Sequence, residues 1–467
     1  MGTKRLSPSD AMFLYGETRE TMFHVAGLMP FTPAPGTPPD HLRTLMDEIR
    51  EAPIYRPWNN QLKSPDMLRN PIHNWVEQDE IDREYHVRRS ALPTPGDERE
   101  LGILVSRLHS YPIDFHRPPW EVHLIEGLEG GRFALYVKVH HSLVDGFSAM
   151  RVLSNSLSTD PNDRSRPLFF SQPPKVRRPK TEAEPEIQEG AGVQFQEFLS
   201  AFRSQYGTSK VVARAVMNVV RSSRAKDNEL INPRHAPKTM FNTRIGRSRR
   251  FATAQIQFSR MREVAKKAGG TINDVILALC AGSLRRYLSE LDALPSQPLI
   301  AMLPVAVRAK DDNDGGGNSI GAILATLATD IADPGERMRA IVASTTNAKK
   351  QLQGMTKAAI LQYSALLCAP AMMQMLPVTA GAVRPAFNLV ISNVPGPEEP
   401  RYFRGARLEA AYPMSIPVHG YALNITVNSY DGKCCFGFTG CRDTVPHLQR
   451  MAVYCNEAMG ELETALA

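Results

Sequence analysis

The chain has 467 residues, 42% hydrophobic and 22% charged, with a formal net charge of +7. That composition suits a soluble globular protein with a sizeable core, and the length suggests two or three domains. No uncharged apolar run reaches the ~18 residues of a membrane-spanning helix, and the first residues lack the apolar stretch of a secretory signal.

Cys280, Cys368, Cys434, Cys435, Cys441 and Cys455 all lie in the second half. No C-x-x-C pair accompanies a histidine pair at zinc spacing, so no metal site is expected. The reading is six reduced, buried thiols in a reducing compartment.

In chain order, "PDHLRTLMDEIREA" and "DERELGILVSRLHSYP" have the spacing of amphipathic helices. "WEVHLIEGL" and "RFALYVKVHH" alternate like strands, with "EGG" as the hairpin turn between them. "FSAMRVLSNSLS" returns to helix. Residues 1–160 form the first expected domain. Residues 161–245 are Pro-rich and then basic, and read as a linker with a helix.

Between Arg203 and Arg250 there are twelve Lys or Arg against two acids, Asp227 and Glu229. A solvated basic face explains this, as does an anionic membrane surface or a phosphate-bearing ligand. No recognition motif or aromatic stacking pattern accompanies the charge, so nucleic acid is not expected.

Residues 246–467 form the second expected domain. It opens with the strand "RRFATAQIQFS" and the helices "RMREVAKKAG" and "TINDVILALCAGSLRRYLSEL". The strands "LIAMLPVAVR" and "AILATLAT" follow, then helices over 334–352 and 357–376, then the strand "FNLVISNVPGP". A hairpin with Asp431-Gly432 at its tip and a closing helix end the chain. Mixed strands and helices in both halves predict an α+β fold of two domains.

The chemistry concentrates in "VKVHHSLVDGF". Adjacent side chains on a strand point to opposite faces, so only one of His140 and His141 can face a given cavity. Histidine is the side chain best suited to exchange a proton near neutral pH. Asp145 either fixes that ring or supports the turn, and Gly146 allows backbone geometry closed to other residues. A pair of hydrogen-bonded structural histidines is the bland alternative.

His-His-x-x-x-Asp-Gly after an apolar strand resembles the CoA-dependent acyltransferase superfamily, which includes chloramphenicol acetyltransferase and condensation domains. Four blocks narrow the resemblance: "LSPSDAMFLYGETRETMFHVAGLMPF", "RPPWEVHLIEGLEGGRFALYVKVHHSLVDG", "GGTINDVILALCAGSLRRYL" and "NLVISNVPGP". Together they resemble the bacterial wax ester synthase/acyl-CoA:diacylglycerol acyltransferase family, nearly end to end and least in the linker.

The resemblance implies two chloramphenicol-acetyltransferase-like domains, each a mixed sheet with helices, with the active site in the cleft between them. It implies a long-chain acyl-CoA donor as co-substrate, a fatty alcohol or diacylglycerol acceptor, and no bound cofactor. His141 becomes the general base that lets the acceptor hydroxyl attack the thioester directly. The absence of a G-x-S-x-G elbow agrees with a route free of an acyl-enzyme.

By the same resemblance, His140 packs on the other face. Asp145 pairs with an arginine, for which Arg308 is offered. Asn273 is the candidate oxyanion donor, with capping by Asn273 or Asp274 as the structural alternative. Lys266 and Lys267 are candidates for the CoA phosphates.

Ile360 and Leu361, in a methionine-rich apolar segment, and Met414 and Ile416 are candidates for the substrate channel. His419 reads as structural, and "PPWE" and "SNVPGP" as fold maintenance. The expected setting is cytoplasmic, peripheral to the inner membrane face or lipid inclusions. Two competing readings remain: a donor held on a carrier protein, and an inactive homologue that binds lipid.

Overall fold

The computed structural model describes residues 3–68, 73–173, 235–306, 320–353 and 384–467, together with Ala359, Ile360, Tyr363, Ser364 and Leu367. Leu361, Arg308, Cys368 and most of the basic stretch from Arg203 lie outside the described residues, as does most of the helix expected over 357–376.

Two mixed sheets carry the chain. In the first, the strands run in the order Tyr402–Phe403, Ala406–Leu408, His24–Thr32, Phe133–His140, Trp120–Glu126 and Val87–Ala91, and Tyr412–Met414 also pairs with His24–Thr32. In the second, the order is Ile320–Thr326, Ile300–Ala306, Leu389–Val394, Leu423–Tyr430, Lys433–Cys441 and Arg249–Gln257. A small third sheet joins Thr3–Arg5, Asn74–Glu77 and Asn60–Leu62. The α+β expectation holds.

The stretch from 246 onward is not confined to the second sheet. Residues 402–414 cross over and complete the first one. The linkage runs the other way too: the helix Glu98–His109 sends Ser106 and the following Ser110 to the edge strand Arg249–Gln257. Their hydroxyl oxygens accept the Phe251 N–H (3.0 Å) and the Arg249 N–H (2.8 Å). Edge groups that would otherwise be open are thus bonded.

Local chemistry explains the turns near the site. The Leu423–Tyr430/Lys433–Cys441 hairpin turns at Asp431 and Gly432, with φ of 45° and 72°. Two central residues at positive φ match the twist of the flanking strands. In "AKKAGG", Gly269 at φ 64° ends the helix Phe258–Lys267. Its successor Gly270 donates to the Ala265 carbonyl at 2.9 Å, closing the helix by a six-residue bond. A Cβ on Gly270 would lie 2.8 Å from Val342, so the second glycine answers to packing.

Five cysteines, Cys280, Cys434, Cys435, Cys441 and Cys455, are buried and unpaired among the described residues. There, no group of His, Cys, Asp and Glu could hold a metal ion, and no helix is long and apolar enough to cross a membrane.

Candidate active site

The strand Phe133–His140 is buried along its whole length and separates two environments. Leu135 and Val137 pack with Met29, Val122 and Leu153 on one face. Tyr136, Lys138 and His140 point to the other. Lys138 is fully buried there and pairs with Glu121 at 3.2 Å, while its ammonium also donates to the carbonyls of Leu108 and Tyr111.

His140 is closed off completely. Its Nδ1 accepts the Ser142 N–H at 3.2 Å and the Ser142 hydroxyl at 2.7 Å. A backbone N–H can only donate, so this network puts the ring proton on Nε2. That nitrogen donates to Glu17 Oε2 at 3.3 Å. Every polar atom of the ring is occupied.

His141 is the opposite case. Its backbone N–H donates to the Phe23 carbonyl at 2.8 Å, and Phe13 lies against its ring with centroids 4.2 Å apart. Nδ1 finds no separate partner, and the residue's own carbonyl supports the protonated ring. Nε2 makes no hydrogen bond among the described residues. Burial first, then the neighbouring His140, holds the pKa below the ordinary histidine value, with Asp145 and Asp10 pulling the other way. The neutral, proton-accepting form is therefore favoured at neutral pH.

His141 lines a cavity of about 320 Å³ with Asp10, Pro57, Trp58, Leu143, Val144, Asp145, Ser148 and Val152. All of these come from the N-terminal half. On its other side, Phe13 joins Phe23 in an apolar cluster with Ile300, Met302, Leu324, Val390 and Ile416. His141 thus stands where the first sheet's turn meets the second sheet.

Asp145 is the N-cap of the helix Gly146–Asn155 and accepts the Ser148 N–H at 2.9 Å and the Ser148 hydroxyl at 2.7 Å. Among the described residues no arginine pairs with it. The expectation for Gly146 is corrected. It does not occupy the positive-φ region, and a Cβ there would meet open space. As the first residue of a helix it has the ordinary backbone any residue can adopt.

The "TIND" and "SNVPGP" blocks are brought together: Asn393 Nδ2 donates to Asn273 Oδ1 at 2.7 Å. Asn273 is exposed and is not among the cavity's lining residues. The capping falls to Asp274, which forms a capping box with Thr271 at the start of the helix Ile272–Glu290.

Lys266 and Lys267 are exposed in the last turn of the helix before it. Met414 is buried in the first sheet's core, and Ile416 packs beside the Phe13 cluster. Ile360 is half-buried. His419 is fully buried and accepts the Ile245 N–H at 3.2 Å, a structural role. In "PPWE", Trp120 is buried and its Nε1 donates to the Trp58 carbonyl at 2.7 Å.

Three features escaped the sequence reading. Phe13 on His141, Glu17 on His140 and all but the last residue of the strand His24–Thr32 lie in the first quoted block, yet nothing in its spacing assigns them.

Two mixed sheets and a buried strand followed directly by a proton-accepting imidazole, that of His141, define the class. The fold is that of condensation domains. The starter condensation domain of rhizomide synthetase, solved in complex with C8-CoA, matches with a TM-score of 0.53 at 13% identity, over 99% of this chain and 95% of that one.

Within that class, the chain belongs to the wax ester synthase/diacylglycerol acyltransferase family and is an acyltransferase. The family's catalytic domain matches residues 6–276 and its C-terminal domain residues 316–463. A Mycobacterium tuberculosis protein assigned by inference as a diacylglycerol O-acyltransferase is 48% identical, over 99% of this chain and 97% of that one. The solved wax ester synthase/diacylglycerol acyltransferase of Marinobacter aquaeolei VT8 is 37% identical with a TM-score of 0.77, over 99% of this chain and 100% of that one.

Proposed function

We propose that the chain transfers a long-chain acyl group from acyl-CoA to the hydroxyl of diacylglycerol or of a long-chain alcohol, with His141 as general base. The observation that carries this reading is the unbonded Nε2 of His141 at the wall of a cavity. Support for the donor comes from the C8-CoA complex of the condensation domain, and for the acceptors from the names of the relatives.

In this mechanism Nε2 takes the acceptor's proton as its oxygen attacks the thioester carbonyl. The C–O bond forms and a tetrahedral oxyanion results. Collapse breaks the C–S bond, and the imidazolium returns the proton to the departing sulfur. No acyl-enzyme and no metal enters the scheme. Asn273 is the proposed oxyanion donor, because its bond with Asn393 engages only its oxygen and leaves the amide N–H groups without a partner among the described residues.

Thiol release from a long-chain acyl-CoA, with diacylglycerol or a fatty alcohol supplied, tests the proposal. His141→Ala is expected to lower kcat by about 10²- to 10⁴-fold with the fold retained. Asn273→Ala is expected to cost about 10²-fold in kcat. Full activity in the first variant would sink the mechanism, and full activity in the second would remove Asn273 from it.

A further inference from the structure

The side chain of Glu17 is 6% exposed and does not line the cavity. One of its oxygens nevertheless starts two hydrogen-bond chains that reach the backbone of His141 and of Ser142. Glu17 Oε2 accepts the Phe23 N–H at 2.7 Å and the His140 Nε2–H at 3.3 Å. Phe23 then uses its carbonyl to hold the His141 N–H at 2.8 Å. His140 uses its other ring nitrogen to hold the Ser142 N–H at 3.2 Å. The side chain before the base and the backbone at and after it are therefore tied back to a single carboxylate.

The rings follow the same route. Phe23 meets Phe13 edge-on at 5.7 Å, and Phe13 lies on the His141 imidazole. The second half of the chain braces this loop. Arg249 is 2% exposed and donates to the carbonyl of Glu20. Burial pulls the Arg249 pKa down to about 10, and Glu17 is among the acids that offset this. A buried carboxylate without donors or a nearby cation would be costly. Here it has two donors and a buried guanidinium in its field.

We propose that Glu17 is a positioning residue for His141: its carboxylate fixes the ring's place through Phe23 on one side and His140 on the other. The proposal rests on His141 being the base. Glu17 touches no substrate-facing surface, so its removal acts on the chemical step and leaves binding alone. Misplacement of a catalytic group by about 1 Å costs on the order of 10²-fold in rate.

The test is steady-state thiol release by the full chain, with the melting midpoint measured beside it. Glu17→Leu is expected to lower kcat about 10²-fold, with KM for the acyl-CoA unchanged. Glu17→Gln keeps an oxygen that can accept both bonds, and is expected to recover kcat to within about tenfold of the wild type.

Wild-type kcat in E17L overturns the proposal. So does equal loss in E17L and E17Q that tracks the unfolded fraction. Where E17L does not fold, Glu17→Asp carries the test. It keeps the charge but falls one carbon short of the two donors, and kcat is expected to drop about tenfold at constant KM. Wild-type kcat in E17D then overturns the proposal. Failure of the wild-type chain to release thiol would instead defeat the acyl-transfer reading itself.

Discussion

Of the helix starts that use an aspartate, those at Asp145 and Asp274 leave very different remainders. At the first, Asp145 is the N-cap, partly exposed on the cavity wall, and both its bonds go to Ser148. At the second, Asp274 sits three residues inside and is 2% exposed. It accepts from the Thr271 N–H and hydroxyl, both at 2.7 Å, and from the buried Thr345 hydroxyl at 2.6 Å. Asp274 thus spends both of its oxygens on holding the fold. The first turn leaves both ring nitrogens of His141 without a bond to another described residue, and Nδ1 is buried as well. Where a buried polar group lacks a partner, strain or function is the explanation to look for, and the contrast separates a structural motif from a reactive one.

The contrast predicts, as its largest effect, that Asp274→Ala acts on stability. A lost cap costs about 1 kcal/mol, and the buried Thr345 hydroxyl keeps only its weaker bond to the Val342 carbonyl. Together the loss should approach about 2 kcal/mol, read as a lower urea midpoint at unchanged slope. Activity per folded molecule should stay within about tenfold of the wild type. If activity vanishes while the midpoint holds, Asp274 does chemistry and the comparison breaks.

Asp145 should show the smaller stability effect and the greater sensitivity of rate. Asp145→Ala removes an N-cap on a half-exposed helix, for about 1 kcal/mol. Asp145→Asn keeps an acceptor for the Ser148 N–H and should restore most of that stability. If the turn only aims His141, the Asn variant should also recover kcat. Wild-type stability in that variant with kcat as low as in His141→Ala would show that the charge of Asp145, and not its cap, serves the base.

The parts of this arrangement that were legible in the sequence are the parts with local grammar. The alternation that ends on His140-His141, the Asp431-Gly432 tip and the Thr271–Asp274 box are each written within a few residues. What was not legible is carried by distant pairs. Glu17 and His140 are 123 residues apart, and neither of the two glutamates in "GETRETMF" has a spacing that marks it. Strands of two or three residues, such as Tyr402–Phe403 and Ala406–Leu408, show no period, so their crossing into the first sheet had no local sign. Gly146 misled for a related reason: a glycine after an aspartate suggests a strained turn, whereas here it only begins a helix.

The smallest predicted effect concerns pH, and it sharpens the case for His141 most directly. Its pKa is lowered, by burial first and by His140 next, so the acid limb of kcat/KM should lie below the ordinary histidine value of about 6.5. The sign for the neighbours follows. A general base works when neutral, and activity rises with pH through its pKa. Asp10 and Asp145 are both carboxylates on the cavity wall, and each favours the charged ring. Asp10→Asn removes one of them, so the imidazolium gives up its proton more easily and the limb should move further toward acid. Asp145→Asn should move it in the same direction. A limb that moves toward alkaline pH in either variant, or that persists in His141→Ala, would place the titrating group elsewhere.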